Sequence, residues 1–104
     1  MIFTEVLLSL HQFKTKKNME ITVRKPTEKK VAEMKSNPVR GCDVSEFDWY
    51  YDSKETCLII EGDVTVKYDS KSVSFTAGDY VVFPKGLSCV WQVKKSVKKY
   101  YKFN

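Results

Sequence analysis

Histidine is almost missing from this sequence. Its 104 residues include one, His11, which lies in the N-terminal segment. Histidine is the commonest metal ligand in proteins and the usual general base near neutral pH. We therefore expect residues 19–104 to function without a histidine-based metal centre, and we expect His11 to lie on the surface.

Cysteines are few and poorly placed for cross-linking. Cys42, Cys57 and Cys89 are odd in number, lie far apart and form no C-x-x-C pair. This spacing supports neither a disulfide framework nor a zinc knuckle. Free thiols favour a reducing compartment, so we expect an intracellular protein of the cytoplasm or of a plastid.

Long apolar runs are missing too. A membrane-spanning helix needs roughly 18 to 20 apolar residues, so we expect a soluble chain with no membrane partner. Residues 1–18 carry apolar side chains at helical spacing, followed by lysines. They lack the basic start of a secretory signal and the arginines of a transit peptide. We treat 1–18 as an N-terminal extension, either an amphipathic targeting segment or a piece that packs on the domain or a partner, and 19–104 as a single domain.

The charge balance is moderately basic, with a net charge of +5 and a pI near 9.1. The lysines are spread along the chain, as on a solvated surface. The densest cluster alternates with aromatic residues, like a nucleic-acid surface, and comprises Lys94, Lys95, Lys98, Lys99 and Lys102. Because a two-sided strand shows the same alternation, we expect no nucleic-acid partner and keep a basic interaction surface as an alternative.

Short alternating runs of β-branched and aromatic residues make up most of the chain, and turn signals separate them at regular intervals. We predict strands at 20–25, 46–51, 56–60, 64–68, 73–76, 80–83, 89–93 and 97–103. One helix is predicted to begin at Pro26-Thr27-Glu28 and to end at Ser36-Asn37-Pro38. The pattern predicts an all-β sandwich or barrel with one short N-terminal helix.

Two segments with fixed spacing carry a family signal. Glu55 is followed by six residues and Gly62, and Gly78 is followed by five residues, Pro84-Lys85-Gly86, two residues and Cys89. The paired motifs of the cupin superfamily have this spacing, with a glutamate in the first motif and histidines in both. The chain therefore resembles cupins, which implies a double-stranded β-helix, or jelly-roll, barrel.

The segments 44–62 and 78–91 resemble more narrowly the small single-domain cupins related to ureidoglycine aminohydrolase, the cupin_3 or DUF861 group. The resemblance covers about residues 19–103. In this group the aminohydrolase is a manganese-dependent enzyme with two cupin domains that releases ammonia from ureidoglycine, whereas most small members have no established function. An enzyme of this type, or another small cupin hydrolase or isomerase, is therefore one alternative for the function.

The metal-binding positions of the motifs are changed. A typical cupin uses three imidazoles and one carboxylate, and of these the sequence retains Glu55. The motif histidines are replaced, on the two possible spacings, by Trp49 and Tyr51 or by Asp48 and Tyr50, and in the second motif by Cys89. Asp48, Glu55 and Cys89 form a ligand set that zinc accepts but manganese disfavours. We expect neither a metal nor another cofactor.

Strand alternation places Glu55 and Cys57 on one face, and Cys89 and Trp91 on one face of a neighbouring strand. If both faces line the barrel, they form a small aromatic cavity with one carboxylate. We predict a metal-independent small-molecule pocket lined by Trp49, Tyr51, Glu55, Cys57, Cys89 and Trp91. The aromatic residues and thiols also suit an ordinary core. An inward Glu55 needs a partner, for which Tyr51, Lys85 or a ligand are the candidates.

A catalytic alternative pairs Cys89 as a nucleophile with Glu55 as its acid or base. It needs a cationic group that lowers the pKa of the thiol, and Lys85 is the nearest one in the sequence. The partners that we expect are a small-molecule ligand of unknown identity and a second copy of the chain. Small cupins commonly form homodimers, and an unpaired edge strand favours the same outcome.

Overall fold

The computed structural model describes residues 19–104. The predictions for 1–18 and for His11 lie outside these residues. The helix and strands are, in chain order, β1 (Thr22–Arg24), α1 (Glu28–Met34), β2 (Val39–Cys42), β3 (Ser45–Tyr50), β4 (Glu55–Tyr68), β5 (Lys71–Thr76), β6 (Tyr80–Phe83) and β7 (Ser88–Phe103). All strand pairs are antiparallel. The prediction of an all-β domain with one short N-terminal helix is confirmed.

Two long strands, β4 and β7, hold the barrel together because each takes part in both of its halves. The first half of β4 pairs with β6 and with the end of β7, while its second half pairs with β5 and with the start of β7. The remaining strands extend the two halves, with β1 beside β6 and with β2 and β3 beside β7. The barrel is therefore one continuous sheet that bends where β4 and β7 bend.

The bend in β4 lies at Gly62, where the ladder to β7 shifts register between Ile59 and Val64. Gly62 has φ +122°, and a Cβ atom there would lie 2.7 Å from the Cα of Val97. Both the backbone angle and the space require glycine. Our prediction of separate strands at 56–60 and 64–68, and at 89–93 and 97–103, is wrong, because each pair forms one continuous strand, β4 or β7.

The helix α1 begins as the sequence predicts. The Thr27 side chain accepts a hydrogen bond from the backbone N–H of Lys30, which caps the first turn. The helix buries Met34, which is 1% exposed. The next strand, β2, was not predicted, because its sequence Val-Arg-Gly-Cys has little β-propensity and its pairing with β7 decides its conformation. Among residues 19–104, no helix has the length and apolar character needed to cross a membrane.

Candidate ligand pocket

A buried ion pair lies inside the barrel. The Lys99 ammonium donates a hydrogen bond to Glu55 Oε2 over 3.0 Å, and the two side chains are 10% and 4% exposed. Removing two charges from water is costly, and their mutual attraction offsets that cost when the geometry is good. Lys99 is thus the partner that an inward Glu55 requires, in place of the predicted Tyr51, Lys85 or ligand.

The positions of the two charges follow from the strand register. Glu55 begins β4 opposite Phe83 of β6 and Phe103 of β7. Lys99 lies on β7 opposite Ile59, so its long side chain runs along the inner face of the sheet toward Glu55. The predicted inward direction of Glu55 agrees with its burial, since it is 3% exposed.

The ammonium group of Lys99 lies against the ring of Trp91, which belongs to a cluster of aromatic side chains. The Nζ atom of Lys99 lies 4.8 Å from the ring centroid of Trp91, which is a cation–π distance. The Trp91 indole N–H donates to the Tyr51 hydroxyl over 3.2 Å, and the Tyr51 ring stacks on Phe83 with centroids 4.8 Å apart. Burial, and then the negative charge of Glu55, raises the pKa of Tyr51. Tyr51 therefore stays a neutral phenol, a hydrogen-bond partner rather than a base.

Next to the ion pair is a cavity of about 220 Å³. Aromatic side chains form much of its wall, and Arg40, Glu55 and Lys99 are its charged residues. The lining comprises Arg40, Gly41, Cys42, Phe47, Trp49, Tyr51, Glu55, Trp91, Val97, Lys99 and Phe103. A mostly apolar cavity with a few convergent polar groups is the usual form of a small-molecule site.

Of the six residues predicted to line a pocket, four line this cavity: Trp49, Tyr51, Glu55 and Trp91. Trp49 is 44% exposed, whereas Tyr51 and Trp91 are buried. Cys57 is packed in the hydrophobic core and is outside the lining. Cys89 lies on a second, surface groove that also includes Asp48 and Tyr50.

The two buried thiols are poor nucleophiles. Burial raises the pKa of Cys57, and it raises the pKa of Cys89 to about 11. The Cys89 thiol donates to the Trp49 carbonyl over 3.6 Å. Lys85, the predicted helper, is exposed, and the cation of the barrel interior pairs with Glu55 instead. Among residues 19–104, burial alone shifts the pKa of Cys89, and no cation or base favours its thiolate.

The motif residues of this chain do not fit a divalent metal. The one motif carboxylate, Glu55, is bonded to an ammonium group, and the Cys89 thiol, whose pKa is about 11, holds its proton at neutral pH. Among residues 19–104, no three side chains of the His, Cys, Asp and Glu types come together as a possible ligand group. We therefore derive no chemistry through a metal at this position.

The sequence predictions missed two charged residues of the cavity, Lys99 and Arg40. Lys99 belongs to the lysine cluster for which we expect a solvated surface, but it has the same strand parity as Val97, which is buried. That parity was the available signal. Arg40 lies on β2, and its guanidinium stands 4.7 Å above the Tyr101 ring. Because β2 was not predicted, no sequence pattern indicated that Arg40 lies at the cavity.

Comparisons with known proteins agree with this architecture. The family model of the EutQ-like cupin domain matches residues 29–101. A crystal structure of a DUF861 family protein from Thermotoga maritima is 44% identical, with 82% of this chain and 100% of that chain covered and a TM-score of 0.78.

More distant structures share the fold. The EutQ protein of Clostridium difficile is 23% identical over 62% of this chain and 52% of that one, with a TM-score of 0.59. A putative ethanolamine utilization protein Q from Salmonella typhimurium is 20% identical over 84% and 73%, with a TM-score of 0.56. A comparison with curated proteins gives no significant match. On the family model and the Thermotoga relative, this chain belongs to the family of EutQ-like cupin domains.

Proposed function

We propose that this cupin domain binds a small organic molecule in the cavity beside Glu55 and Lys99, without the metal that typical cupins use. The observation that supports this proposal is the position of the ion pair in a cavity wall. Apolar residues of similar volume would stabilise a barrel interior at least as well as a buried ion pair. An ion pair beside an aromatic cavity is therefore better explained by ligand recognition than by a role in packing the barrel interior.

The size of the cavity limits the ligand. A volume of about 220 Å³ corresponds to roughly seven water molecules at about 30 Å³ each. It therefore suits a small metabolite of roughly that size. The aromatic walls formed by Phe47 and Trp91, whose rings are stacked with centroids 6.0 Å apart, favour a ligand with a flat apolar part.

A matched pair of variants on β2 tests the location. Cys42 lines the cavity, whereas Val39 lies on the same strand, is 51% exposed and is outside the lining. A fragment library is screened by saturation-transfer NMR against the wild type, Cys42→Phe and Val39→Phe. We expect fragments that bind the wild type and Val39→Phe but not Cys42→Phe. A library without binders, or binders that Cys42→Phe retains, would contradict the proposal.

The alternative function is an enzyme related to ureidoglycine aminohydrolase or to another small cupin hydrolase or isomerase. The family assignment favours this alternative only in general terms, because membership of a family establishes the fold and not the activity. Its manganese chemistry needs histidines that this chain has replaced by Cys89 and, on the two possible spacings, by Trp49 and Tyr51 or by Asp48 and Tyr50. Ammonia release from ureidoglycine by protein that carries one metal per chain would support this alternative and overturn the first proposal.

We also propose that the domain forms a homodimer through β3. This strand pairs on one side with β7 and with no other strand among residues 19–104. It carries two exposed aromatic residues, Trp49 at 44% and Tyr50 at 59%. An open strand edge with exposed aromatic side chains is a surface that a second copy can cover.

A further inference from the structure

We propose that the ligand is a small planar carboxylate with a single negative charge, an inference that rests on the proposed function and specifies its ligand class. The charged residues of the cavity lining are Arg40, Glu55 and Lys99. With one carboxylate and two cations, the wall carries a net charge of one positive unit. A monoanion neutralises this charge, whereas a cation adds to it.

Lys99 provides the inner binding group. Its ammonium has three donors, and among the described residues one of them is satisfied by Glu55 Oε2 over 3.0 Å. The Trp91 ring covers another side of the ammonium at 4.8 Å from its centroid. A ligand oxygen in the cavity would complete the coordination of Nζ, since the Lys99 side chain is 10% exposed and has little contact with water.

Arg40 provides the outer binding group. Its Nη2 donates to the Tyr101 hydroxyl over 3.4 Å, and the guanidinium lies over the same ring. These two contacts orient the planar group, and among residues 19–104 most of its five donors remain available. A fixed guanidinium fork matches the two oxygens of a carboxylate, which makes a carboxylate a better anion here than a compact halide.

A neutral ligand or a cation fits the wall less well. Glu55 is already paired with Lys99, so it offers a ligand cation little uncompensated negative charge. A neutral amide can fill the same aromatic space but offers the Arg40 guanidinium one oxygen and no negative charge. Carboxylate and amide of identical shape therefore distinguish charge recognition from simple filling of the cavity.

The test compares matched ligands: benzoate with benzamide, and furan-2-carboxylate with furan-2-carboxamide, with benzylammonium as the cation. Dissociation constants are measured at pH 7 by isothermal titration calorimetry of the wild type, so that the cavity lining is unchanged. We expect each carboxylate to bind about tenfold more tightly than its amide, a difference of about 1.4 kcal/mol. We expect no measurable binding of benzylammonium.

Arg40→Gln and Lys98→Gln separate a specific contact from overall charge. Both remove one positive charge from an exposed side chain, but of the two only Arg40 lines the cavity. We expect Arg40→Gln to weaken carboxylate binding about fivefold or more, as for a lost charged hydrogen bond. We expect amide binding to stay unchanged in Arg40→Gln, and we expect Lys98→Gln to leave the binding of both ligands unchanged.

Amides that bind as well as carboxylates, or an equal effect of the two variants, would overturn the ligand class while leaving the cavity as the binding site. If no probe binds and the fragment screen finds nothing that Cys42→Phe blocks, the proposed function itself fails.

Discussion

Glu55 of β4 and Lys99 of β7 form a buried ion pair 3.0 Å long beside the cavity of the barrel. Glu55 is the residue of the cupin metal motif that this chain keeps, and the Lys99 ammonium is its partner. The negative charge of Glu55 is therefore neutralised by a residue of the same chain. This pairing explains how a cupin barrel can lose its motif histidines and still retain a buried glutamate.

The ion pair gives the first prediction. Replacing Lys99 by Met, or Glu55 by Gln, leaves an unpaired buried group and should lower the free energy of unfolding by about 3 to 5 kcal/mol. The double variant Glu55→Gln, Lys99→Met should lose less than either single variant, because no isolated charge remains. Urea denaturation of the four proteins measures these energies as a double-mutant cycle.

The exposed ion pair of Lys25 and Asp79 is the control for this cycle. Its atoms lie 2.8 Å apart, but the Lys25 side chain is 77% exposed. Lys25→Met should therefore change the free energy of unfolding by no more than about 1 kcal/mol. If Lys99→Met were no more harmful than Lys25→Met, the interior pair would not be the stabilising contact that we infer.

The sequence predicted the fold better than the cavity, for a physical reason. Strand alternation and turn residues are local, and they placed β6 at Tyr80–Phe83 with the bounds that the structure shows. The continuity of β4 and β7 depends on pairing across the barrel, which local patterns do not contain. The inward direction of Lys99 was readable from its parity with Val97, but its partner 44 positions away was not.

The bend of β4 at Gly62 gives the second prediction, and Gly78, which lies between β5 and β6, is the control. Gly62 and Gly78 have φ +122° and +90°. An added Cβ at Gly62 would lie 2.7 Å from the Cα of Val97, whereas at Gly78 it would meet nothing within 4 Å. Gly78→Ala should cost about 1 kcal/mol through backbone strain alone. Gly62→Ala should cost clearly more, and equal thermal shifts for the two variants would contradict the role of the bend.

The third prediction concerns metal content. Tag-free protein purified without chelator should contain manganese, zinc, iron and nickel at well below one atom per chain, because Glu55 is paired with Lys99 and the Cys89 thiol is protonated. Elemental analysis measures the content directly. The matched comparison is Glu55→Ala, which should show the same low level. Nearly one metal per chain that Glu55→Ala abolishes would show that the carboxylate is a ligand.

The fourth prediction is the oligomeric state. Light scattering coupled to size-exclusion chromatography should give a mass of twice 12.1 kDa for the wild type. Tyr50→Lys places a charge on the exposed edge of β3 and should shift the chain to the monomer. Val23→Lys is the control, since Val23 is 36% exposed on another edge strand, β1. A monomeric wild type, or a dimer that Tyr50→Lys leaves intact, would contradict an interface at β3.

The fifth prediction concerns the reactivity of the thiols. At pH 8, iodoacetamide should modify the half-buried Cys42 first, while Cys57 at 0% exposure should stay unmodified in the native protein. Cys89 should react slowly, because a thiol with a pKa of about 11 is almost fully protonated at that pH. Peptide mapping by mass spectrometry follows each site. If Cys89 were modified as fast as Cys42, the result would support a nucleophilic role for Cys89.

The same raised pKa makes stability depend on alkaline pH. The Cys89 pKa rises from 9.0 to about 11 on burial, so the unfolded chain releases this proton first. The contribution of the buried Cys89 thiol to the free energy of unfolding is fully present below pH 9 and is lost as the pH rises through about 11. Urea midpoints should therefore fall between pH 8.5 and 10.5, and less steeply in Cys89→Val. The raised pKa values of Cys57 and Tyr51 act in the same direction and should leave a residual slope in that variant. Identical slopes for the wild type and Cys89→Val would show that Cys89 titrates equally in both states.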